Sequence, residues 1–203
     1  MESHNPVLVL FGHPALRRSR VNRVLIDAVR GLDGVTINDL YENYPELDID
    51  VLREQRLLSQ HRIVIFQHPF YWYSTPAIFK EWQDLVLGHG WAYGREGRAL
   101  EGKTLLSAIT TGGSEESYRQ SGSNSYTVRQ LLAPIEQTAR LCGMDYLPPF
   151  VVHGTHRLGA TEIDHHAAAY RRTVEAMRDG LFDVDAVRGW TRLNRDLDAV
   201  IGG

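Results

Sequence analysis

The sequence predicts one doubly wound α/β domain: a five-stranded parallel sheet in the order 2-1-3-4-5, with helices on both faces. Three observations carry this. Short, unbroken apolar runs recur, such as Val-Leu-Val-Leu-Phe within residues 6–11 and Ile-Val-Ile-Phe within 62–67, as strands buried on both faces require. Segments of helical period separate them, and alternating strands and helices build parallel sheets. The 203 residues are 43% apolar and 23% charged, enough for one full core.

The elements follow in order. Residues 6–11 form the first strand and 13–19 a polar loop. Val21, Leu25, Ala28, Val29 and Leu32 then recur at helical spacing, with Ser19 as N-cap and Gly31 and Gly34 as the stop. Residues 35–40 read as the second strand, 48–60 as a helix and 62–67 as the third strand. An aromatic loop covers 68–75. Pro76 suits a first helical position, and Ile78, Phe79, Trp82, Leu85 and Val86 give that helix its apolar face. A glycine-rich loop spans 88–102, a fourth strand 103–110 and a polar loop 114–126. A helix over 127–141, a fifth strand over 144–152 and a long helix over 161–177 complete a domain of residues 1–178. The tail, 179–203, reads either as a short helix or as a partly disordered end.

Composition excludes several classes. A formal charge of −3 is too small to argue for nucleic acid or a membrane surface. Cys142 is the single cysteine, which rules out an intrachain disulfide and argues against a thiolate zinc site. The first residues lack a secretion-signal pattern, and no run nears the roughly 18 apolar residues of a membrane span. A cytoplasmic address is the simplest expectation.

In a sheet of this order, ligands sit beyond the carboxyl ends of the strands where the winding reverses, between strands one and three. Three loops therefore matter. The first, 12–22, feeds a helix N-terminus, where free N–H groups and the helix dipole attract anions; His13, Ser19 and the arginines add donors. This loop reads as a phosphate cradle or as a solvated turn with a capping serine. The second carries Phe70, Tyr71, Trp72 and Tyr73 in succession, which suits stacking on a planar aromatic ligand. The alternative is packing under a helix or in a dimer interface, above all for Phe70 and Trp72. The third, Thr110-Thr111-Gly112-Gly113, lets backbone approach a ligand closely, and Tyr118 follows as a hydrogen-bond donor.

His13-Pro14 with Ser19 and Asn22, then Pro69-Phe70-Tyr71-Trp72-Tyr73 with Pro76-Ala77, Lys80 and Trp82, then Thr110-Thr111-Gly112-Gly113 with Tyr118, together resemble the NAD(P)H:quinone oxidoreductase family. The resemblance covers about residues 5–178 and extends to Gly90-Trp91-Ala92-Tyr93-Gly94 and Leu100-Glu101-Gly102-Lys103. Pro148-Pro149-Phe150-Val151-Val152-His153-Gly154 is similar to one branch, the bacterial ancillary proteins of glutathione-gated potassium efflux systems.

The resemblance implies a flavodoxin-like fold and FMN, with FAD disfavoured because the chain is short for an adenine-binding extension. It implies that His13, Ser19, Val21 and Asn22 hold the flavin phosphate and ribityl chain. Pro69, Phe70, Tyr71, Trp72 and Tyr73 would line the ring largely through backbone, and Thr110, Thr111, Gly112, Gly113 and Tyr118 would close the other side. NADH or NADPH would give a hydride to flavin N5 and leave; a quinone would then enter and take two electrons, with Tyr118 as the catalytic residue stabilising the anionic reduced ring. Members carrying a histidine shortly after that tyrosine differ from this chain, where Asn124 is the nearest candidate and His153 another. The resemblance also implies a homodimer, with 127–141 and 88–102 as contact candidates. The efflux branch implies a membrane potassium/proton antiporter as partner and a position at the inner membrane face through it. An azo- or nitro-aromatic reductase shares the first half-reaction.

Other motifs are discounted. His153-Gly-Thr-His156 and His165-His166 lack the i, i+4 spacing of a helical zinc pair, so no metal site is expected. There is no G-x-G-x-x-G after the first strand, no G-x-x-x-x-G-K-[ST], and no G-x-S-x-G. Glu115 and Glu116 read as solvated.

Overall fold

The computed structural model describes residues 5–202. Its sheet runs β2-β1-β3-β4-β5, all parallel, with a sixth strand, β6, also on β4. The strands are β1 (Val7–Phe11), β2 (Val35–Asp39), β3 (Ile63–Pro69), β4 (Thr104–Thr110), β5 (Asp145–Tyr146) and β6 (Phe150–Val152). β5 and β6 are the two halves of the single strand predicted over 144–152. Pro148 and Pro149 have no N–H to give the ladder, so pairing lapses between them.

Side chains alternate across the sheet, and the two helical layers follow from this. Val7, Val9 and Phe11 face α1 (Val21–Val29) and α7 (Ala160–Arg178), meeting Leu25, Ile26, Tyr170 and Val174. Leu8 and Leu10 face the other way, onto α3 (Val51–Gln60), α4 (Ala77–Val86) and α6 (Ala133–Leu141), meeting Leu58, Phe79, Trp82 and Ala139. The helix predicted over 127–141 breaks at Leu132 into α5 (Val128–Leu131) and α6, because Pro134 has no hydrogen for the carbonyl one turn back. α2 (Leu40–Asn43) is a single turn capped by Asp39. The predicted helix over 48–60 starts at Val51, with the Asp50 side chain accepting the Arg53 N–H.

One buried charge ties the α2, α3 and α4 region together. Glu54 has no exposed surface. Its carboxylate accepts from Asn38 Nδ2 at 2.7 Å, Tyr44 OH at 2.6 Å, Arg53 at 2.6 Å and Trp82 Nε1 at 2.9 Å. A buried carboxylate persists only when paired and hydrogen-bonded in this way.

After α7 the chain folds back on the domain. α8 (Val184–Val187) is one turn, and Phe182, Val187, Leu193 and Val200 enter the same core as α1 and α7.

Candidate functional site

The carboxyl ends of β1, β3 and β4 bring the three predicted loops together around a cleft of about 780 Å3. His13, Ser19, Val21, Asn22, Pro69, Phe70, Tyr71, Trp72, Thr110 and Gly112 all line it. Tyr73, Gly113 and Tyr118 line an adjoining recess of about 310 Å3, which shares Phe70 and Trp72 with the cleft. Thr111 lines neither: it is buried, and its hydroxyl donates to Gly113 O at 2.9 Å and lies 3.0 Å from His153 Nδ1.

The first loop presents donors. His13 Nδ1 accepts the Ala15 N–H at 3.0 Å. Burial lowers the His13 pKa, so the ring is neutral near pH 7 and Nε2 carries its hydrogen. Ser19 Oγ accepts the Asn22 N–H at 3.1 Å, the role of an N-cap, although helical dihedrals already begin at Arg20. Asn22 Nδ2 donates to Thr110 Oγ1 at 2.8 Å, while Asn22 Oδ1 is buried with no partner among the described residues. The α1 N-terminus faces the cleft with Arg18 and Arg20 beside it.

The second loop is strained. Phe70 N–H donates to Thr110 O at 2.8 Å, which carries β3–β4 pairing into the loop. Tyr71 and Ser74 then exchange backbone hydrogen bonds at 3.1 and 3.0 Å around Trp72 and Tyr73. Those two residues have φ of +49° and +63°. Two successive positive φ values make a type I′ turn, which prefers Asn-Gly. Bulky residues there cost of order 1–3 kcal/mol each. Phe70 is core at 8% exposure, but Trp72 stands 91% exposed over the cleft. A core role is thus right for Phe70 and wrong for Trp72.

The third loop approaches through glycine. A Cβ on Gly112 would stand 2.9 Å from His156 Nε2, and one on Gly113 would stand 3.1 Å from the Tyr118 ring. Tyr118 packs between Phe70 and His153, with ring centroids 6.2 and 5.6 Å away. Burial raises its pKa, so the hydroxyl keeps its proton. Burial, with Arg192 adding to it, brings the His153 pKa down to about 4. Asn124 instead accepts from Tyr73 OH at 3.1 Å. His153 is therefore the histidine beside Tyr118.

From a fourth loop, after strand five, the sequence offered only His153 as a site candidate. Thr155 and His156, beyond β6, also line the cleft. Gly154 N–H donates to Gly113 O at 2.9 Å and Thr155 N–H to Thr111 O at 3.1 Å, pinning this loop to the third. The available signal was topological: strand five also ends on this edge. Glu115 is half-exposed, in keeping with its solvated reading, and also pairs with Arg192 at 3.1 Å.

One end of the cleft thus offers N–H donors, imidazole and arginine, and the other exposed aromatics and close backbone. The cleft volume lies within the range of small-molecule sites. This arrangement suits a ligand with an anionic end and a planar end. Among the described residues, no three His, Cys, Asp or Glu side chains gather as metal ligands, and no helix is long and apolar enough to cross a membrane.

Comparison with known proteins agrees with the fold. General stress protein 14 of Bacillus subtilis (strain 168) is 45% identical over 161 residues, covering 79% of this chain and 92% of that protein. Glutathione-regulated potassium-efflux system ancillary protein KefG of Erwinia tasmaniensis is 44% identical over 164 residues, covering 81% and 89%. Among solved structures, general stress protein 14 of Treponema denticola in complex with FMN aligns with a TM-score of 0.81 at 37% identity, covering 84% of this chain and 98% of that one. An NADPH-quinone reductase from P. pentosaceus aligns at 0.76 and 32%, covering 83% and 96%. A structure named thermophilic tryptophan halogenase, from Streptomycin violaceusniger, aligns at 0.81 and 43%, covering 82% and 97%. A family model described as flavodoxin-like fold matches residues 5–177, and with this topology the chain belongs to the flavodoxin-like family.

Proposed function

We propose that this chain binds FMN and acts as an NAD(P)H:quinone oxidoreductase. The relatives' names differ in activity, so the reading rests on the cleft. Its carrying observation is the pairing of a donor-rich helix N-terminus with a strained, exposed aromatic turn across one cavity. Strain kept at such a turn points to function.

The residues present fit the cofactor. His13 Nε2–H, the α1 amides and the Ser19 hydroxyl would hold the phosphate, and Val21 and Asn22 the ribityl chain, with Asn22 Oδ1 as an acceptor ready for a hydroxyl. Pro69 to Tyr73 would line one side of the ring system. Thr110, Gly112 and Gly113 would approach its other side, with Thr111 serving through its hold on Gly113. Bound FMN would supply the redox chemistry, taking a hydride from NADH or NADPH and giving two electrons to a quinone. Tyr118, kept protonated by burial, would donate a hydrogen bond to negative charge developing in the site. Trp72 and Tyr73 would shield it from water, on their own or at a homodimer interface.

The test is the visible spectrum of the purified protein before and after adding FMN and desalting. Retained flavin absorption, bleached by NADPH or NADH and restored by a quinone, is expected. If no flavin is retained, the enzyme reading fails.

The 44% identity to KefG favours a second reading, an ancillary subunit of a potassium/proton antiporter at the membrane's inner face. An antiporter gene beside this one, and antiporter activity that depends on this protein, would support it.

A further inference from the structure

The segment after α7 lies outside the stretch that matches the flavodoxin-like model, yet it reaches the site. It crosses the open edge of the sheet at β6. There the Asn194 side chain imitates a strand: Val151 N–H donates to Asn194 Oδ1 at 3.0 Å, and Asn194 Nδ2 donates to Val151 O at 2.9 Å. One amide satisfies both backbone groups of an edge residue, where an unpaired edge is a liability. Fully buried Leu193 and Val187 anchor the segment in the core. Leu193 N–H donates to Pro149 O at 2.8 Å, and Arg188 makes two hydrogen bonds to Asp145, at 2.8 and 3.1 Å.

This anchoring presents Arg192 to the loop that carries Tyr118. The Arg192 guanidinium donates to Asn194 O at 3.1 Å and pairs with Glu115 at 3.1 Å. Glu115 opens the short 3-10 helix Glu115–Tyr118. With three residues per turn, Glu115 and Tyr118 share one face of that helix. Besides this pair, the loop is held to the domain by the Tyr73–Asn124 hydrogen bond and by the packing of Tyr118 on Phe70 and His153. Backbone hydrogen bonds of residues 114–125 join the loop to itself: Ser117 to Ser114, Gly122 to Arg119, Asn124 to Ser117 and Ser125 to Gly122. Thr191 and Arg192 also wall a recess of about 220 Å3 with Tyr118, Arg119 and His153.

We propose that Arg192 is a positioning residue for Tyr118: the C-terminal segment carries it across the sheet edge to Glu115, and the pair fixes the short helix on which Tyr118 enters the site. An exposed ion pair is usually weak because two long side chains must be ordered. Here Arg192 is ordered already by the segment, so most of that cost falls on folding rather than on the pair. The consequence for the reaction rests on the reductase reading; the consequence for the loop does not.

The experiment uses the full-length chain without added cofactor, and hydrogen exchange of the amides in 114–125. Arg192→Ala and Glu115→Gln are each expected to speed exchange there about two- to five-fold. Exchange in β3 and β4 should be unchanged. The charge-swapped double variant Glu115→Arg with Arg192→Glu should restore protection. Glu115 is half-exposed, so its replacement tests the pair even if Arg192→Ala fails to fold. In the flavin-loaded protein, the single variants should raise KM for quinone or lower kcat with FMN affinity unchanged, and the swap should recover the loss. Unchanged exchange in Glu115→Gln, or a swap that restores nothing, overturns the proposal. A protein that never retains flavin sinks the reductase reading and leaves the exchange result to decide the clamp alone.

Discussion

The side-chain amide of Asn22 donates to the Thr110 hydroxyl across 2.8 Å, joining the first turn of α1 to the carboxyl end of β4. These positions are 88 residues apart in the chain, and the bond draws two walls of the cleft together. Gln67 Nε2 reaches the Asn22 carbonyl at 3.4 Å from β3, so Asn22 ties α1 to two strands, β3 and β4.

Asn22→Ala is therefore expected to cost about 1–2 kcal/mol, since it leaves a buried hydroxyl short of a donor. It should also weaken FMN binding about tenfold by removing Oδ1. Thr110→Val removes the same bond but keeps Oδ1, so it should lower stability with a smaller effect on FMN. Thermal midpoints with and without FMN separate the two. Equal FMN-induced shifts in wild type and Asn22→Ala would deny Oδ1 any part in binding.

At Gly112 the predicted effect is on the site and not the fold. The atom that a Cβ would meet belongs to the end of the His156 side chain, not to backbone. Its φ is not in the left-handed region, so alanine is tolerated by the chain. Gly112→Ala should leave the unfolding midpoint within experimental scatter and displace the imidazole across the cleft. FMN affinity should fall at least about tenfold, roughly 1.4 kcal/mol. The double variant Gly112→Ala with His156→Ala should regain part of it. Titration of flavin fluorescence measures both, and no recovery in the double variant would remove His156 from the argument.

The turn at Trp72 and Tyr73 predicts a trade of stability against function. Its geometry prefers Asn-Gly. Replacing Trp72→Asn together with Tyr73→Gly relieves two positive-φ aromatics, and the loss of one Gly's backbone freedom offsets part of the gain. A net stabilisation of about 1 kcal/mol is expected. Quinone reduction should fall, because the exposed rings over the cleft are gone. Urea unfolding and steady-state kinetics read the two effects. A variant that is less stable than wild type would show that the aromatics are held by packing and not kept at a cost.

How much of this was legible beforehand differs by element. β1 and β3 announce themselves because strands buried on both faces must be apolar throughout, and α1 and α4 because one face of each is. Topology then named the loops, so most of the cleft could be read from Gly12, Pro69 and Thr110. The tail could not be read: Phe182, Val187, Leu193 and Val200 enter the core at no fixed interval, so no period marks them. His156 was weighed only as a metal ligand, and nothing local says that its loop is pinned to Gly113 by a backbone bond. The positive φ values at Trp72 and Tyr73 were invisible because the sequence there lacks the residues that such a turn prefers.

His68 yields the pH prediction. It is fully buried on β3 against Phe79, with Nδ1 2.9 Å from Pro69 O and Nε2 without a partner among the described residues. Burial brings its pKa from 6.5 down to about 4. Between those values the unfolded chain binds a proton that the folded chain refuses. Stability then rises with pH over this window: the contribution is full above about pH 6.5 and is lost as pH falls toward 4. From pH 7 to pH 5 the loss from this one ring is of order 2 kcal/mol. His153, also lowered to about 4, acts with the same sign. His68→Leu removes the titrating group and the unpaired nitrogen together, so its urea midpoint should fall less between pH 7 and pH 5 than that of wild type. If both proteins lose the same stability over that interval, the acid sensitivity lies elsewhere.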